Sequence, residues 1–288
     1  MTKVYIVIDT HKATNALASA FAGREAPQSL GTISTDLDRF LTWLRKFQKK
    51  HDLKKDEIEL CYEAGPTGFV LARRLIGLGD NCVVVAPSKT PKKSGDKVRT
   101  DRLDARKLAR LHRAGELTAV HIPDVEDEVI RDVCRGRTDA VQEMKRCKQQ
   151  LLAFLLRNGY RYTGKAHWTD AHMRYLRKLV FAHRTQKMIL EEYLQRTDST
   201  QMQVARIEDQ MDLLRKTWSR RPYVEALMGF SGFQRTASMV LASEIGDFRR
   251  VDHPKKLVAF LGVTPTADSS GPTLRQGAIT RCSTTTAS

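Results

Sequence analysis

The sequence predicts an α/β domain at the N-terminus, then a long helical region, then a small and mostly helical C-terminal part. Short apolar, β-branched runs alternate with amphipathic stretches up to residue 122, and charged segments with helical periodicity follow them. Two short helix patterns after a glycine-containing turn at 229–232 form the last part. A chain of 288 residues is long enough for two domains, and we expect regions 1–122, 123–220 and 221–288.

The first three strands are predicted close together in the chain. Residues 3–8 are apolar and β-branched and lead into Asp9, which is typical of a buried strand that ends in an acid. Residues 13–21 and 29–33 are weaker strand candidates, separated by a turn. Leucine and phenylalanine at helical spacing then predict an amphipathic helix over 36–49.

Two more strands and two more helices follow in alternation. Residues 57–62 alternate between polar and apolar side chains and then present Glu63. After a Gly-Pro-Thr-Gly turn we expect a helix over 69–78, a short buried strand over 81–86, and a helix that begins after Thr100. Thr100 is a good N-cap, because its hydroxyl can accept a hydrogen bond from a backbone N–H of the first helical turn.

Acidic residues stand at the ends of two predicted strands and in the first turn of the last helix. Asp9 and Glu63 end the strands, while Asp101 and Asp104 are three residues apart and so share one helix face. These four carboxylates could converge at one edge of the sheet. The alternative is that the strand-end acids form turns and the helix-start acids only favour the positive end of the helix dipole.

Basic residues surround the two acids of that helix. They are Lys92, Lys93, Lys97, Arg99, Arg102 and Arg106. Such a run predicts a surface for a polyanion, and acids within it would repel phosphate unless a divalent cation stood between them. A metal-dependent nuclease or strand-transferase needs this arrangement.

The composition favours a nucleic-acid partner over a membrane. Lys and Arg number 49 against 33 Asp and Glu, a formal charge of +16. No apolar run approaches the roughly 18 residues of a membrane-spanning helix. The five cysteines are scattered without a CxxC pair, so we expect a reducing cytoplasm, no disulfides and no zinc.

The middle of the chain predicts two long helices. Residues 124–156 and 187–218 are charged, with apolar residues at helical spacing, and they are joined through 158–170. They would form an antiparallel hairpin or a coiled coil, and their charge density favours self-association. The alternative is an ordinary helical core. Near the C-terminus, residues 263–271 predict a loop that contains Ser269 and Ser270.

Three sequence blocks around the acids resemble a known family. They are Val7–Lys12, Tyr62–Gly68 and Arg99–Ala105, and a fourth block runs from Leu261 through Ser270-Gly271 to Thr280. Together they are similar to the IS110 family of insertion-sequence transposases, relatives of the Piv invertase. The similarity extends over nearly the whole chain up to Thr280.

The resemblance implies a fold and a chemistry for these residues. The N-terminal domain would be RuvC-like, of the ribonuclease-H type, and Asp9, Glu63, Asp101 and Asp104 would bind Mg²⁺. Ser270 would be the nucleophile, with its neighbour Ser269 as an open alternative. Donor and target DNA would be partners, together with a noncoding bridge RNA, and the active species would be a homo-oligomer, a dimer or tetramer.

The sequence after Thr280 departs from the family pattern. The family continues with a helix, whereas Cys282 to Ser288 contain mostly Ser and Thr, so we expect a truncated product that is weak or inactive. The leading hypothesis is therefore a DNA transposase that uses a carboxylate tetrad and a serine. The alternatives are a metal-dependent junction nuclease and an inactive nucleic-acid-binding remnant.

Overall fold

The computed structural model of the protein describes residues 3–91, 100–270 and 273–279. Side chains are described in these ranges except for Asp101, 265–276, 278 and 279. The chain divides into two compact units, Met1–Ile122 with Pro254–Ser288, and Pro123–His253. The division into three functional regions at 122 and 220 stays a prediction.

The first unit contains a mixed sheet of five strands. They are β1 (Val4–Thr10), β2 (Thr14–Phe21), β3 (Gln28–Ser34), β4 (Ile58–Glu63) and β5 (Asn81–Val85). The strand order is β3-β2-β1-β4-β5. β2 is antiparallel to both β1 and β3, whereas β1, β4 and β5 are parallel. This agrees with the predicted order of strands and helices up to residue 122.

Three helices cover the two faces of this sheet. They are α1 (Leu37–His51), α2 (Val70–Gly77) and α3 (Asp101–Ala114). Residues of α1 and α2, such as Phe40 and Leu75, share one core with Ile8 of β1, and residues of α3, such as Leu108, share a second core with Val7. Successive strand residues point to opposite faces, so α1 and α2 lie on one face and α3 on the other.

Helix α3 begins as predicted, with Thr100 as its N-cap. The Thr100 side chain accepts a hydrogen bond from the backbone N–H of Leu103 at 3.3 Å. Gly115 ends the helix in the left-handed conformation, with φ of 70°, which glycine adopts without steric cost. Ala105, Leu108 and Ala109 form its buried stripe.

The second unit is helical throughout its regular structure. It contains α4 (Val125–Arg157), α5 (Asp170–Lys178), α6 (Arg184–Thr217), α7 (Arg221–Met228) and α8 (Arg235–Ile245). Ion pairs such as Arg137–Glu208 and Arg196–Glu143 join α4 and α6 in antiparallel order. The predicted hairpin of two long helices is therefore confirmed, although α5, which lies between them, was not predicted.

Two apolar cores lie at opposite ends of this hairpin. The first joins the start of α4 and the end of α6 to α7 and α8, through residues such as Ile130, Met211 and Met239. The second joins the end of α4 and the start of α6 to α5, through residues such as Leu151 and Leu176. Each end is therefore closed by short helices that bury the apolar stripes of the long ones.

The C-terminal segment corrects one prediction. A helix, α9 (Pro254–Phe260), is followed by an antiparallel pair of strands, β6 (Pro265–Ser270) and β7 (Thr273–Ile279). Residues 263–271 were expected to form a loop because Ser, Asp and Gly are turn formers. Pairing with the β-branched and apolar residues of β7, a contact outside the local sequence window, overrides that preference.

Within the described ranges, none of the helices combines the length and the apolar character that crossing a bilayer requires.

Candidate active site at the sheet edge

Two of the predicted carboxylates end neighbouring parallel strands. The register of β1 and β4 pairs Ile8 with Tyr62, so Asp9 and Glu63 are the next residues on the two strands. Both point to the face covered by α3, because Val7 and Cys61, two residues earlier, pack in the α3 core. Adjacent strands lie about 4.8 Å apart, so the structure brings these two acids together at one edge.

Helix α3 brings its first turn to the same edge. At its C-terminal end, His112 packs edge-on against Tyr5, with 5.2 Å between ring centroids, and Arg113 donates to the carbonyl of Phe21. Both contacts are near the start of β1, since Phe21 pairs with Val4. The helix therefore runs antiparallel to β1, and its N-terminus lies towards the end of β1 that carries Asp9.

The lengths of the two elements place Asp104 at the level of Asp9. From His112 back to Asp104 the helix rises about 12 Å, at roughly 1.5 Å per residue. From Tyr5 to Asp9 the strand rises about 13 Å, at roughly 3.3 Å per residue. Asp104 is half-buried and lies one turn before Leu108, on the stripe that contacts the sheet. Asp101 begins the helix, and its side chain lies outside the described residues.

Several polar contacts at this edge were not predicted from the sequence. Nε2 of His11 lies 3.4 Å from Oδ2 of Asp9, and the hydroxyl of Thr90 lies 3.1 Å from Oε1 of Glu63. The hydroxyls of Thr10 and Thr67 are 3.1 Å apart. They connect the end of β1 with the turn after β4. No signal in the sequence indicates the Thr90 contact, because it joins residues 27 positions apart.

The turn after β4 is held against the strand that precedes it. The Tyr62 hydroxyl donates to the carbonyl of Gly68 at 2.9 Å, and the N–H of Gly68 donates to the carbonyl of Gly65 at 3.0 Å. Gly68 has φ of 64°, a left-handed conformation that favours glycine. The glycines of this block therefore shape a fixed turn beside Glu63.

The carboxylates at this edge suit a divalent cation chemically. Oxygen ligands are those that Mg²⁺ prefers, usually one or two carboxylates completed by water. Across the described part of the chain, no group of three or more His, Cys, Asp and Glu side chains is arranged to hold a metal ion. The side chain of Asp101, one of the four predicted ligands, is not among those residues.

The predicted basic residues fall into three groups. Lys92, Lys93, Lys97 and Arg99 lie outside the described residues. Arg102 is exposed on α3. Arg106 is half-buried, and its Nε donates to the carbonyl of Pro27 at 2.9 Å, so this guanidinium also supports the turn between β2 and β3.

The predicted nucleophile lies in the C-terminal strand pair. Ser269 and Ser270 end β6, where Ser270 pairs with Thr273 of β7. Their side chains lie outside the described residues. The roles of Ser270 and Ser269 stay predictions.

The buried cysteines near the site are unsuited to nucleophilic attack. Cys61 lies two residues before Glu63, and burial raises the pKa of its thiol well above the ordinary value. Burial also raises the pKa of Cys82, on the neighbouring strand, to about 12. A thiol attacks as its thiolate, and these thiols stay protonated at neutral pH.

Comparison with known proteins decides the family. A DEDD transposase model of the IS110 type matches residues 6–159, more than half of the chain, and a second model, described as "Transposase IS116/IS110/IS902 family", matches residues 224–285. The chain belongs to the IS110 family of transposases. It is therefore a DNA transposase of an insertion sequence, as the resemblance of its sequence blocks implied.

Curated relatives agree with this assignment. The transposase is 36% identical over 279 residues to y4qE of Sinorhizobium fredii (strain NBRC 101917 / NGR234), which is named as a transposase. The alignment covers 97% of this chain and 67% of y4qE. It is also 31% identical over 253 residues to the transposase for insertion sequence element IS1533 of Leptospira borgpetersenii, covering 87% of this chain and 72% of that protein.

Proposed function

We propose that this transposase cleaves and exchanges DNA strands with a Mg²⁺-binding carboxylate tetrad and a serine nucleophile. The tetrad is Asp9, Glu63, Asp101 and Asp104, and the nucleophile is Ser270. The observation that carries the proposal is the position of Asp9 and Glu63 at the ends of adjacent parallel strands, on the face where α3 begins with two more acids.

The sheet topology supports a RuvC-like, ribonuclease-H-type domain. In that fold an antiparallel meander of three strands precedes two parallel strands, and the acids stand on the central strands. The order β3-β2-β1-β4-β5, with β1 and β4 at the centre, fits this pattern. The DEDD family that matches the chain is generally dependent on divalent metal, which fits the oxygen donors at this edge.

Bound Mg²⁺ would supply Lewis-acid stabilisation of the attacking and leaving oxygens. Asp9 and Glu63 would hold it from rigid strand ends, and Asp104 would approach from α3. Thr90 and His11 would orient the Glu63 and Asp9 carboxylates through the contacts they make. Residues held in this way keep their geometry without reorganising during the reaction.

The serine step would form a covalent link between protein and DNA. The Ser270 oxygen would attack a backbone phosphorus, an O–P bond to serine would form, and the bond to the departing sugar oxygen would break. The proton lost by the hydroxyl would pass to the solvent, and the departing oxygen would leave as a hydroxyl. The phosphoserine bond keeps the energy of the broken phosphodiester for rejoining to another strand.

A trapping experiment with full-length protein tests the proposal. With Mg²⁺ and a labelled donor-end duplex, the parent chain should form a protein–DNA adduct that survives denaturation. Asp104→Asn should reduce the adduct by at least about a hundredfold, because it removes a metal ligand, but it should bind the duplex as well as the parent or more tightly. Ser270→Ala should abolish the adduct and also keep DNA binding.

Matched variants make the result specific. Glu116→Gln also converts a carboxylate to an amide, at an exposed position just beyond the far end of α3, and should leave the adduct unchanged. Ser269→Ala alters the neighbouring serine and should still form the adduct. If Ser269→Ala alone removes it, the nucleophile is one residue earlier. Metal-dependent nicking without any adduct would instead support a junction nuclease.

We also propose a noncoding bridge RNA that pairs with donor and target DNA, and a homo-oligomer as the active species. The formal charge of +16 supports a polyanionic partner of this kind. Purified protein should carry an RNA with one segment complementary to the donor DNA and another complementary to the target DNA. The mass of the protein measured by light scattering should exceed that of one chain. Protein that recombines its element after nuclease removal of all RNA would contradict the RNA-guided part.

A further inference from the structure

The charges of the helical unit are concentrated at one end. Residues 157–187, here called the basic tip, contain eight Lys and Arg and one acid, Asp170, a formal charge of +7. The rest of the unit, 123–156 and 188–253, contains 15 Lys and Arg and 17 Asp and Glu, a formal charge of −2. The basic tip therefore carries the whole positive excess of this unit.

The cations of the basic tip lack acidic partners. Its members are Arg157, Arg161, Lys165, Arg174, Arg177, Lys178, Arg184 and Lys187. Among the residues that the structure describes, none of the eight has an acid within 4.0 Å. In the rest of the unit, at least ten of the 15 cations have one, for example Arg220 with Asp127.

The basic tip is nevertheless a fixed structure. Its own core joins Leu155, Leu176 and Leu190, and its loops are held by hydrogen bonds to backbone carbonyls. The Tyr160 hydroxyl donates to the carbonyl of Val180, and Lys187 Nζ donates to the carbonyl of Arg177 at 3.1 Å. Apart from Lys187, which is half-buried, the cationic groups of the tip take no part in these hydrogen bonds and lie exposed on the surface.

The helix dipole does not explain this placement. Arg177 and Lys178 lie in the last turn of α5, where cations are favoured. Arg184 and Lys187 lie in the first turn of α6, where the dipole disfavours cations. Of the four remaining cations, Arg157 ends α4, where a cation is also favoured, Arg161 and Lys165 lie in the connection before α5, and Arg174 lies within α5. Packing and helix electrostatics alone would not collect eight like charges at one end.

The aromatic side chains of the tip narrow the class of partner. Tyr162 packs against His172 and Tyr175, with ring centroids 4.7 and 5.2 Å apart, and Trp168 lies between His172 and the cation of Lys148. Rings that pack on each other and are half-buried expose less of their faces for stacking unpaired bases. A surface dominated by cations suits the backbone of a duplex, whose phosphates are spaced regularly along its grooves.

We propose that the basic tip binds the phosphate backbone of duplex DNA without reading its sequence. The established activity of the family supplies the duplex, because a transposase acts on DNA. Contact at this end of the hairpin would add affinity for DNA that does not depend on base sequence.

The test compares two triple variants of the full chain. Lys165→Gln, Arg174→Gln and Arg177→Gln remove three tip cations, while Lys145→Gln, Arg206→Gln and Lys216→Gln remove three exposed cations elsewhere on α4 and α6. Affinity for a mixed-sequence duplex is measured between 50 and 300 mM salt. Each duplex phosphate contact contributes about 0.9 to the slope of log affinity against log salt, so the tip variant should lose up to about 2.7 from the slope.

Different results of this experiment support or overturn the proposal that the basic tip binds duplex DNA. A tip variant that loses duplex affinity and slope while the control variant matches the parent supports the proposal, and restoring charge with Arg174→Lys and Arg177→Lys should restore binding. An unchanged slope in the tip variant would overturn it. So would loss of affinity for a single-stranded or hairpin RNA with duplex binding intact. Binding is measured without metal, so failure of the carboxylate or serine proposal does not affect the result.

Discussion

The two ends of the helical unit differ in how their charged side chains are placed. At the end that α7 and α8 close, acids and arginines are buried or half-buried and pair with each other. At the basic tip the cations are mostly exposed and, among the described residues, have no acidic partner. Asp127 is 1% exposed and accepts hydrogen bonds from Nε1 of Trp218 at 2.9 Å and from Arg220. Arg131 donates to the carbonyl of Ser243 and lies 3.4 Å from Glu244. At one end of the two long helices, arginine side chains therefore bond to other parts of the protein. At the other end, arginine side chains are exposed and can bind a partner.

The difference separates two reasons for a basic residue. A guanidinium that bridges helices replaces its water with fixed acceptors, and its loss leaves a buried acid without a partner. A cation on an exposed helix contributes little to folding, because surface charges interact weakly across water. Residue counts alone cannot distinguish the two, whereas the contacts can.

The largest effect on stability is expected at Asp127. Asp127→Ala removes the acceptor for the indole N–H of Trp218 and a partner of Arg220, both of which are buried or nearly so. Leaving the indole N–H without an acceptor, and Arg220 with Asp124 as its remaining carboxylate partner, should lower the free energy of unfolding by on the order of 3 kcal/mol. Urea unfolding followed by circular dichroism measures it.

The matched change at the basic tip is Asp170→Ala. Asp170 is exposed in the first turn of α5, where it only complements the helix dipole, so its loss should cost a few tenths of a kcal/mol. If Asp127→Ala and Asp170→Ala lower the free energy of unfolding equally, charged groups at the paired end do not contribute more to stability than those at the tip. A double variant that also carries Trp218→Phe should recover part of the Asp127→Ala loss, because it removes one unpaired donor.

A smaller effect is expected from His172 in acid. This ring is fully buried, its Nδ1 accepts from the N–H of Trp168, and its Nε2 has no hydrogen-bond partner in the described part of the chain. Burial, and then the neighbouring His167, lower the pKa of His172. The unfolded chain, with an ordinary pKa of about 6.5, takes up the proton more readily, so stability is full above about pH 6.5 and falls below it.

The melting temperature at pH 7.5 and pH 5.0 measures this effect. His172→Gln, which cannot take up a proton, should show a smaller fall between the two pH values than the parent. His183→Gln changes an exposed ring at the start of α6 and should fall as much as the parent. If His172→Gln falls as far as the parent, the acid sensitivity arises elsewhere, for example at His112, whose pKa burial also lowers.

Local sequence patterns predicted most of the sheet unit. Apolar runs located the strands, and Thr100 marked the start of α3, because these signals depend on neighbours within a few residues. The adjacency of β1 and β4 needed pairing between residues more than 50 positions apart. Periodicity does not specify such pairing. The sequence could therefore identify four candidate acids but could not predict the direction in which α3 runs across the sheet.

The missed features have a common cause. Helix α5 follows the predicted connection 158–170, in a stretch for which no helix was predicted, and its stability comes from the core it shares with α4 and α6. Strand β6 has turn-forming residues and depends on β7. The contact of Thr90 with Glu63 also joins backbone positions that are distant in the sequence. Tertiary contacts, rather than propensity, determine each of these elements.

The attachment of α3 to the far side of the sheet has a consequence for the order of assembly. Arg106 and Arg113 donate to carbonyls of Pro27, Phe21 and Glu25, residues about 80 to 90 positions earlier. A growing chain emerges from its N-terminus, so the meander of β1, β2 and β3 can form long before this helix is synthesised. Asp9 and Glu63 would be in place while Asp104 is still absent. The carboxylate site that we propose therefore cannot assemble until about 114 residues have left the ribosome, and the proposed nucleophile, Ser270, is synthesised later still.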